Sequence, residues 1–285
     1  MGNILSKIDW TGRSNLLEEL LKEPDGLVTQ TLDQGFEAEV MKIVSGRGSF
    51  VLKIWNKSSR PDIRVQFLLL KELFERGIAV SRPLGWGRDA YGDQVLLTTF
   101  DGTPVKKVNA QKLAVFADLL AKLHQIKVND LQDTPLPTYD FTSYFFPGAA
   151  EHADLSQSLI PLIQKADIKQ ESVIHGDFHL NNIVGGNKRY TVIDWTNGQA
   201  GDPRYDFAWS VLLLSIYISE TYAEVFRSAY LQQTEISPDE LILFEGLAVL
   251  RWILLQRSGG VPIRPNTMKR ITNLVNNNPF LLLSI

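Results

Sequence analysis

The sequence predicts an α+β fold in two lobes: a small antiparallel sheet carrying one helix over residues 1–100, and a larger, mostly helical region over residues 101–285. Three observations carry this reading. The chain has 285 residues, more than the roughly 100 to 200 of a usual single domain. Short β-branched, apolar runs at close intervals give way near Phe100 to apolar residues at helical spacing. A breaker, Asp101-Gly102-Thr103-Pro104, stands where the pattern changes.

Residues 27–32, 38–45 and 50–55 read as three antiparallel strands, separated by Asp33-Gln34-Gly35 and Gly46-Arg47-Gly48. Pro61 suits a helix start, and Ile63, Phe67, Leu70 and Phe74 follow at helical spacing up to Gly77. Strands return at 84–87 and 94–99, with Gly92-Asp93 as their turn. Past the breaker, Leu113, Phe116, Leu120 and Leu123 give an amphipathic helix. Residues 128–153 hold three prolines and five aromatics, too many residues for a simple link, and read either as a substrate-side loop or as a packed Ω-loop.

Composition excludes several classes. Apolar residues make up 44% and charged ones 21%, too apolar for wholesale disorder. A net charge of only -3 gives no electrostatic reason for a nucleic-acid partner. Without cysteine there is no disulfide, thiolate metal site or Cys nucleophile, and a reducing, cytoplasmic compartment is expected. The apolar run 207–218 is shorter than the roughly 18 to 20 residues that span a bilayer, and reads as a buried helix. Residues 1–10 lack a secretory h-region. Gly2 with Ser6 fits a myristoylation pattern, against the plain reading of a frayed terminus.

The chemistry concentrates in residues 172–195. A short strand ends in His175-Gly176-Asp177, Asn182 stands five positions on, and Gly185-Gly186-Asn187 turns the chain into a strand ending at Ile193-Asp194-Trp195. Strand ends are where side chains leave a core, so Asp177, Asn182 and Asp194 can converge. Phosphoryl transfer needs a carboxylate near the attacking hydroxyl and hard oxygen ligands for the ions that neutralise phosphate oxygens.

At these residues the sequence resembles the aminoglycoside phosphotransferase and choline kinase group, which carries His-Gly-Asp, Asn five positions later, and Ile-Asp-Trp or Ile-Asp-Phe. The resemblance implies a bilobal protein-kinase-like fold, with Asp177 as catalytic base or hydroxyl-orienting residue and Asn182 and Asp194 holding Mg2+. It extends to Gly201-Asp202-Pro203 and Asp206-Phe207-Ala208, where Asp206 is expected to brace the catalytic loop from a helix start. Lys53 looks like the lysine that meets the α- and β-phosphates and should face Asp194. The turn around Gly35 would be the nucleotide loop, with one glycine in place of three. Gln66 stands where relatives have the lysine's glutamate partner; it should lie within hydrogen-bond reach of Lys53, with Glu37 or Glu72 as substitute acids. Adenine is expected on backbone groups near Thr99 and Phe100. His175 and His179 lack a third ligand at zinc spacing, and His175 reads as a loop brace.

Only residues 195–201 separate Asp194 from Asp202, which leaves no room for a protein-kinase activation segment and favours a small hydroxylated acceptor, with ATP or GTP as donor. Residues 246–285 hold five basic residues and no acid, which argues against a carboxylate cluster for a polycationic drug there; Asp154, Glu220 and Glu224 keep that acceptor open. The basic residues themselves read as solvated. The other readings are a catalytically silent nucleotide-binding scaffold and an atypical protein kinase.

Overall fold

A computed structural model describes every residue except 1–3, 24–26, 33–37, 60, 132–133, 187–188 and 284–285. The chain divides into two compact units: Met1–Val105 with Asp133–Pro135 and Asn181–Thr196, and Lys106–Gln132 with Leu136–Leu180 and Asn197–Ile285.

The first unit contains β1 (Asp9–Arg13), α1 (Asn15–Leu21), β2 (Val28–Thr31), β3 (Glu39–Ser45), β4 (Gly48–Trp55), α2 (Ile63–Glu75), β5 (Pro83–Arg88), β6 (Gln94–Thr99) and β7 (Thr103–Pro104). Its antiparallel sheet runs in the order β1-β5-β6-β4-β3-β2. The five strands expected from sequence are all present. The expectation of one helix is corrected to two, and an edge strand is added. Both additions lack a periodic signal: β1 buries only Trp10, and α1 is a seven-residue helix started by Ser14, whose side chain accepts from Leu17 N–H. They nevertheless supply Trp10, Leu17 and Leu20 to the core that covers Ile43, Phe50, Leu52, Leu84, Val95 and Leu97.

Helix α2 begins where Asp62 accepts from Val65 N–H, and it buries Ile63, Gln66, Leu69, Leu70 and Leu73. It ends at Gly77, whose φ of 79° lets Ile78 N–H return to Leu73 C=O.

The second unit contributes α3 (Ala110–His124), α4 (Phe141–Phe145), α5 (Ala153–Ala166) and β8 (Ser172–Ile174). The chain then enters the first unit for the hairpin β9 (Ile183–Gly186) and β10 (Arg189–Val192), which joins β7 in a three-stranded sheet. It continues in the second unit with β11 (Gln199–Gly201), α6 (Pro203–Tyr217), α7 (Glu220–Leu231), α8 (Pro238–Arg257) and α9 (Thr267–Asn277); β11 pairs with β8. Helix α6 starts at the capping Asp202 with Pro203 at its first position, and twelve of its residues are buried, as for a helix wrapped on all sides. Helix α8 starts with a capping box between Ser237 and Glu240.

The aromatics of residues 128–153 divide. Phe141, Phe145 and Phe146 are buried against Tyr205, whereas Tyr139 is exposed and stacks on Tyr144 at 4.6 Å. Among the described residues no helix is long and apolar enough to cross a membrane.

Candidate active site

In the second unit, β8 delivers a loop whose main chain is fixed before its functional side chain is considered. Gly176 has φ of 77°, and a Cβ there would stand 2.7 Å from Asn197 O, so glycine is required for conformation and for space. The buried Asp206 carboxylate clamps the loop: Oδ2 accepts from His175 N–H at 2.8 Å and Oδ1 from Gly176 N–H at 3.0 Å. His124 Nε2 lies 3.1 Å from the same Oδ2, and its Nδ1 lies 2.6 Å from Tyr230 Oη. Ser210 Oγ, one turn along α6, donates to Phe178 O at 2.9 Å. His175 Nδ1 accepts from Asp177 N–H at 3.3 Å. The expected bracing roles of Asp206 and His175 are therefore met by geometry.

The Asp177 side chain is held from α6. Trp209 Nε1–H donates to its Oδ1 at 2.8 Å, and His179 Nε2 lies 3.4 Å from Oδ2. Burial alone would raise the Asp177 carboxyl; His179, the Arg251 guanidinium and the Trp209 indole outweigh it and hold the group well below the usual carboxylate range. Arg251 corrects the reading of the C-terminal basic residues as solvated. It is buried, donates from Nη1 to Gly176 O at 3.1 Å and stacks on Trp209 at 4.2 Å.

In the first unit, the register of the β9–β10 hairpin pairs Ile183 with Val192. Asn182 therefore enters and Asp194 leaves at the same open end, where Ile193 N–H donates to Asn182 O at 2.9 Å. Trp195 Nε1–H latches back onto Val192 O at 3.1 Å, and the turn places Asp194 at φ of 66°, a left-handed conformation that aspartate tolerates better than most residues. Lys53 on β4 lies 3.1 Å from Asp194 Oδ1. The geometry thus brings Lys53, Asn182 and Asp194 together within one unit, whereas Asp177 belongs to the other.

Three expectations come out differently or fall outside the structure. Gln66 is buried, but its Oε1 has no hydrogen-bond partner among the described residues, so the expected bond with Lys53 is not made; the lysine's acid is Asp194. The fallback Glu72 is paired with Arg76 at 2.7 Å. Gly35 and Glu37 lie outside the described residues. At Thr99 and Phe100 both backbone N–H groups are engaged, to Arg82 O at 2.9 Å and Ser49 O at 3.0 Å, and Lys42 sits over the Phe100 ring at 4.0 Å. An adenine placed there would have to use carbonyl oxygens.

Reading the sequence missed Trp209, Ser210 and Arg251. The first two had a signal, because Asp206, Trp209 and Ser210 at i, i+3 and i+4 share one helix face, so a loop braced by the first would be touched by the others. Arg251, distant in sequence, had none.

A β-rich unit with a strand lysine paired to a left-handed aspartate, and a helical unit holding a clamped His-Gly-Asp loop, define a kinase-like fold. The model of the phosphotransferase enzyme family (APH) matches residues 28–244, and the chain belongs to that family. The match begins at β2, so β1 and α1 precede it. Similar solved structures include a thermostable mutant of aminoglycoside phosphotransferase APH(4)-Ia in ternary complex with AMP-PNP and hygromycin B, at 16% identity and TM-score 0.66, covering 91% of this chain and 97% of that one. Amicoumacin kinase hAmiN in complex with AMP-PNP, Ca2+ and Ami is similar at 17% identity and TM-score 0.64, with 90% of each chain covered. Plasmodium vivax ethanolamine kinase is similar at 17% identity and TM-score 0.61, with 92% and 84% covered. No curated protein matches significantly. Family and fold together support a small-molecule phosphotransferase.

Proposed function

We propose that the chain transfers the γ-phosphoryl group of ATP, or GTP, to a hydroxyl of a small molecule with the help of magnesium. The observation that carries this reading is the open end of the β9–β10 hairpin, which gathers Asn182, Asp194 and Lys53. Asn182 offers a side-chain oxygen and Asp194 a carboxylate, a sparse set that suits Mg2+, which binds through one or two protein oxygens plus phosphates and waters. The ion, when bound, neutralises charge on the phosphate oxygens. Lys53, presented beside the hairpin end 3.1 Å from Asp194, would meet the phosphates next to the ion that Asn182 and Asp194 would hold.

The Asp177 carboxylate receives the proton of the acceptor hydroxyl. The new bond joins that oxygen to the γ-phosphorus as the bond from phosphorus to the β,γ-bridging oxygen breaks, and the nucleoside diphosphate leaves. An Asp177 carboxyl held below the usual range is ionised at neutral pH, so its oxygens can accept a hydrogen bond from the acceptor hydroxyl and orient it.

The acceptor we favour is not a polycation. Asp154 makes a two-pronged pair with Arg257 at 2.9 and 2.5 Å, Glu220 accepts from Ser215 Oγ at 2.5 Å, and Glu224 pairs with Arg227 at 3.1 Å. Each acid kept open from sequence is thus already committed to a neighbour, and Arg251 adds positive charge beside Asp177. Gln66, unbonded to Lys53, is the observation on the side of a silent nucleotide-binding scaffold.

The test is incubation of the chain with MgATP and a panel of neutral, anionic and polycationic hydroxyl compounds, following both ADP and the phosphorylated product. Transfer to a neutral or anionic acceptor, abolished in Asp177→Asn, is expected. Nucleotide binding without product from any acceptor would favour the scaffold, and labelling of protein in place of small molecules would favour an atypical protein kinase.

A further inference from the structure

We infer that Trp209 is a positioning residue for this reaction: its indole N–H, with the ring held under the Arg251 guanidinium, locks the Asp177 carboxylate in the orientation that meets the acceptor hydroxyl. The inference rests on the proposed phosphotransferase reading, in which Asp177 takes the proton.

An aspartate has two side-chain torsions, and it can take a hydroxyl proton only when an oxygen is aimed at it. The clamp from Asp206 fixes the main chain at His175 and Gly176 and leaves the Asp177 torsions untouched. Trp209 supplies what that clamp lacks, a donor 2.8 Å from Oδ1. An indole has one N–H and no acceptor, so it selects an orientation of the carboxylate without competing for the substrate's proton. Trp209 is itself buried, and its N–H has no bulk water to turn to.

The ring is also prevented from swinging. The Arg251 guanidinium lies 4.2 Å above it, and is fixed in turn by its bond to Gly176 O at 3.1 Å and by the Phe145 ring at 4.8 Å. Arg251 thus touches both the loop that carries Asp177 and the side chain that orients it, so loop, ring and carboxylate are set by one another. The same α6 face holds the loop main chain through Asp206 and Ser210, which places main-chain and side-chain control of Asp177 on a single rigid helix.

Trp209→Phe removes the N–H and keeps an aromatic ring under Arg251. The first measurement is the indole N–H spectrum of the 15N-labelled full chain, which has six tryptophans. The signal missing from Trp209→Phe should be the one that moves most in Asp177→Asn. The second uses MgATP and a hydroxyl compound that the wild-type chain phosphorylates. In Trp209→Phe, kcat should fall by about tenfold to a hundredfold, while KM for MgATP stays within about threefold and the variant stays folded at the assay temperature.

Three results would overturn the inference: a Trp209 signal that responds to Asp177→Asn no more than the other five, a Trp209→Phe variant with wild-type kcat, or a loss of kcat matched by an equal loss of nucleotide affinity or by unfolding at the assay temperature, which marks a structural role. If the wild-type chain transferred to no acceptor while the indole response held, the phosphotransferase reading and the positioning role would fall together, with the contact itself left standing.

Discussion

Asp206→Asn probes the joint on which the Asp177 loop hangs. The carboxylate accepts on both oxygens: Oδ1 from Gly176 N–H, Oδ2 from His175 N–H and next to His124 Nε2. An amide of the same shape keeps one oxygen and replaces the other with a donor. With its oxygen on the Oδ2 side, its NH2 points at Gly176 N–H; flipped, it points at His175 N–H. A tautomer change at His124 relieves the contact with that ring but not with either backbone donor. Asp206 is 1% exposed, so water cannot intervene. A buried donor left unsatisfied costs about 1–3 kcal/mol, and hydrogen bonds to charged groups are worth about 1.5–3 kcal/mol each. Two opposed donors and the lost charge give a destabilisation of about 3–5 kcal/mol. At about 2–4 °C per kcal/mol, the melting temperature should drop by about 6–20 °C. Urea unfolding and a thermal melt read the two quantities, and an unchanged m-value would assign the shift to stability. A variant within about 1 kcal/mol of wild type would refute the clamp as the element that holds the loop.

Asp177→Asn should lower transfer by about a hundredfold or more with Mg-nucleotide affinity changed only a few-fold, whereas Asp194→Asn should weaken both; kinetics with nucleotide titration separate them. Gly176→Ala must adopt φ of 77° and place a methyl 2.7 Å from Asn197 O, so it should cost more than the roughly 1–2 kcal/mol of the left-handed conformation alone, read by chemical unfolding. The Asp154 carboxyl is lowered to about 2, chiefly by its hydrogen bonds to Arg257. A depressed folded value stabilises the fold above the unfolded value and loses that contribution as pH falls through the folded one. Arg257→Ala should therefore bring acid unfolding to higher pH within the window from about 4 to 2, while the half-exposed pair changes stability at neutral pH by no more than about 1 kcal/mol. An acid limb unchanged in Arg257→Ala would show that the pair is not held in solution.

The sheet strands after residue 27 were legible because most of them are rich in β-branched or apolar residues over at least four positions between turn formers, and α2 was legible from four apolar residues on one face closed by Gly77. Strand β1 and helix α1 were not, since Trp10, Leu17 and Leu20 bury themselves individually in a sheet that the local pattern does not reveal. The same distinction divides the candidate site. Asn182 and Asp194 bracket a hairpin whose register follows from its own turn, so their approach could be read from residues 182–194. The partner of Lys53 could not be settled in that way, because β4 and the hairpin are far apart in the chain and Gln66, Glu37 or Glu72 each satisfied the local chemistry. The structure makes the pair with Asp194 and leaves Gln66 Oε1 buried without a partner among the described residues. For Asp177 the legible part was the main chain: a glycine beside it and an acid at the start of a helix. What holds its carboxylate, Trp209 and behind it Arg251, depends on the packing of α6 against α8, and a single sequence gives the apolar faces of two helices without the crossing that brings one guanidinium onto one indole.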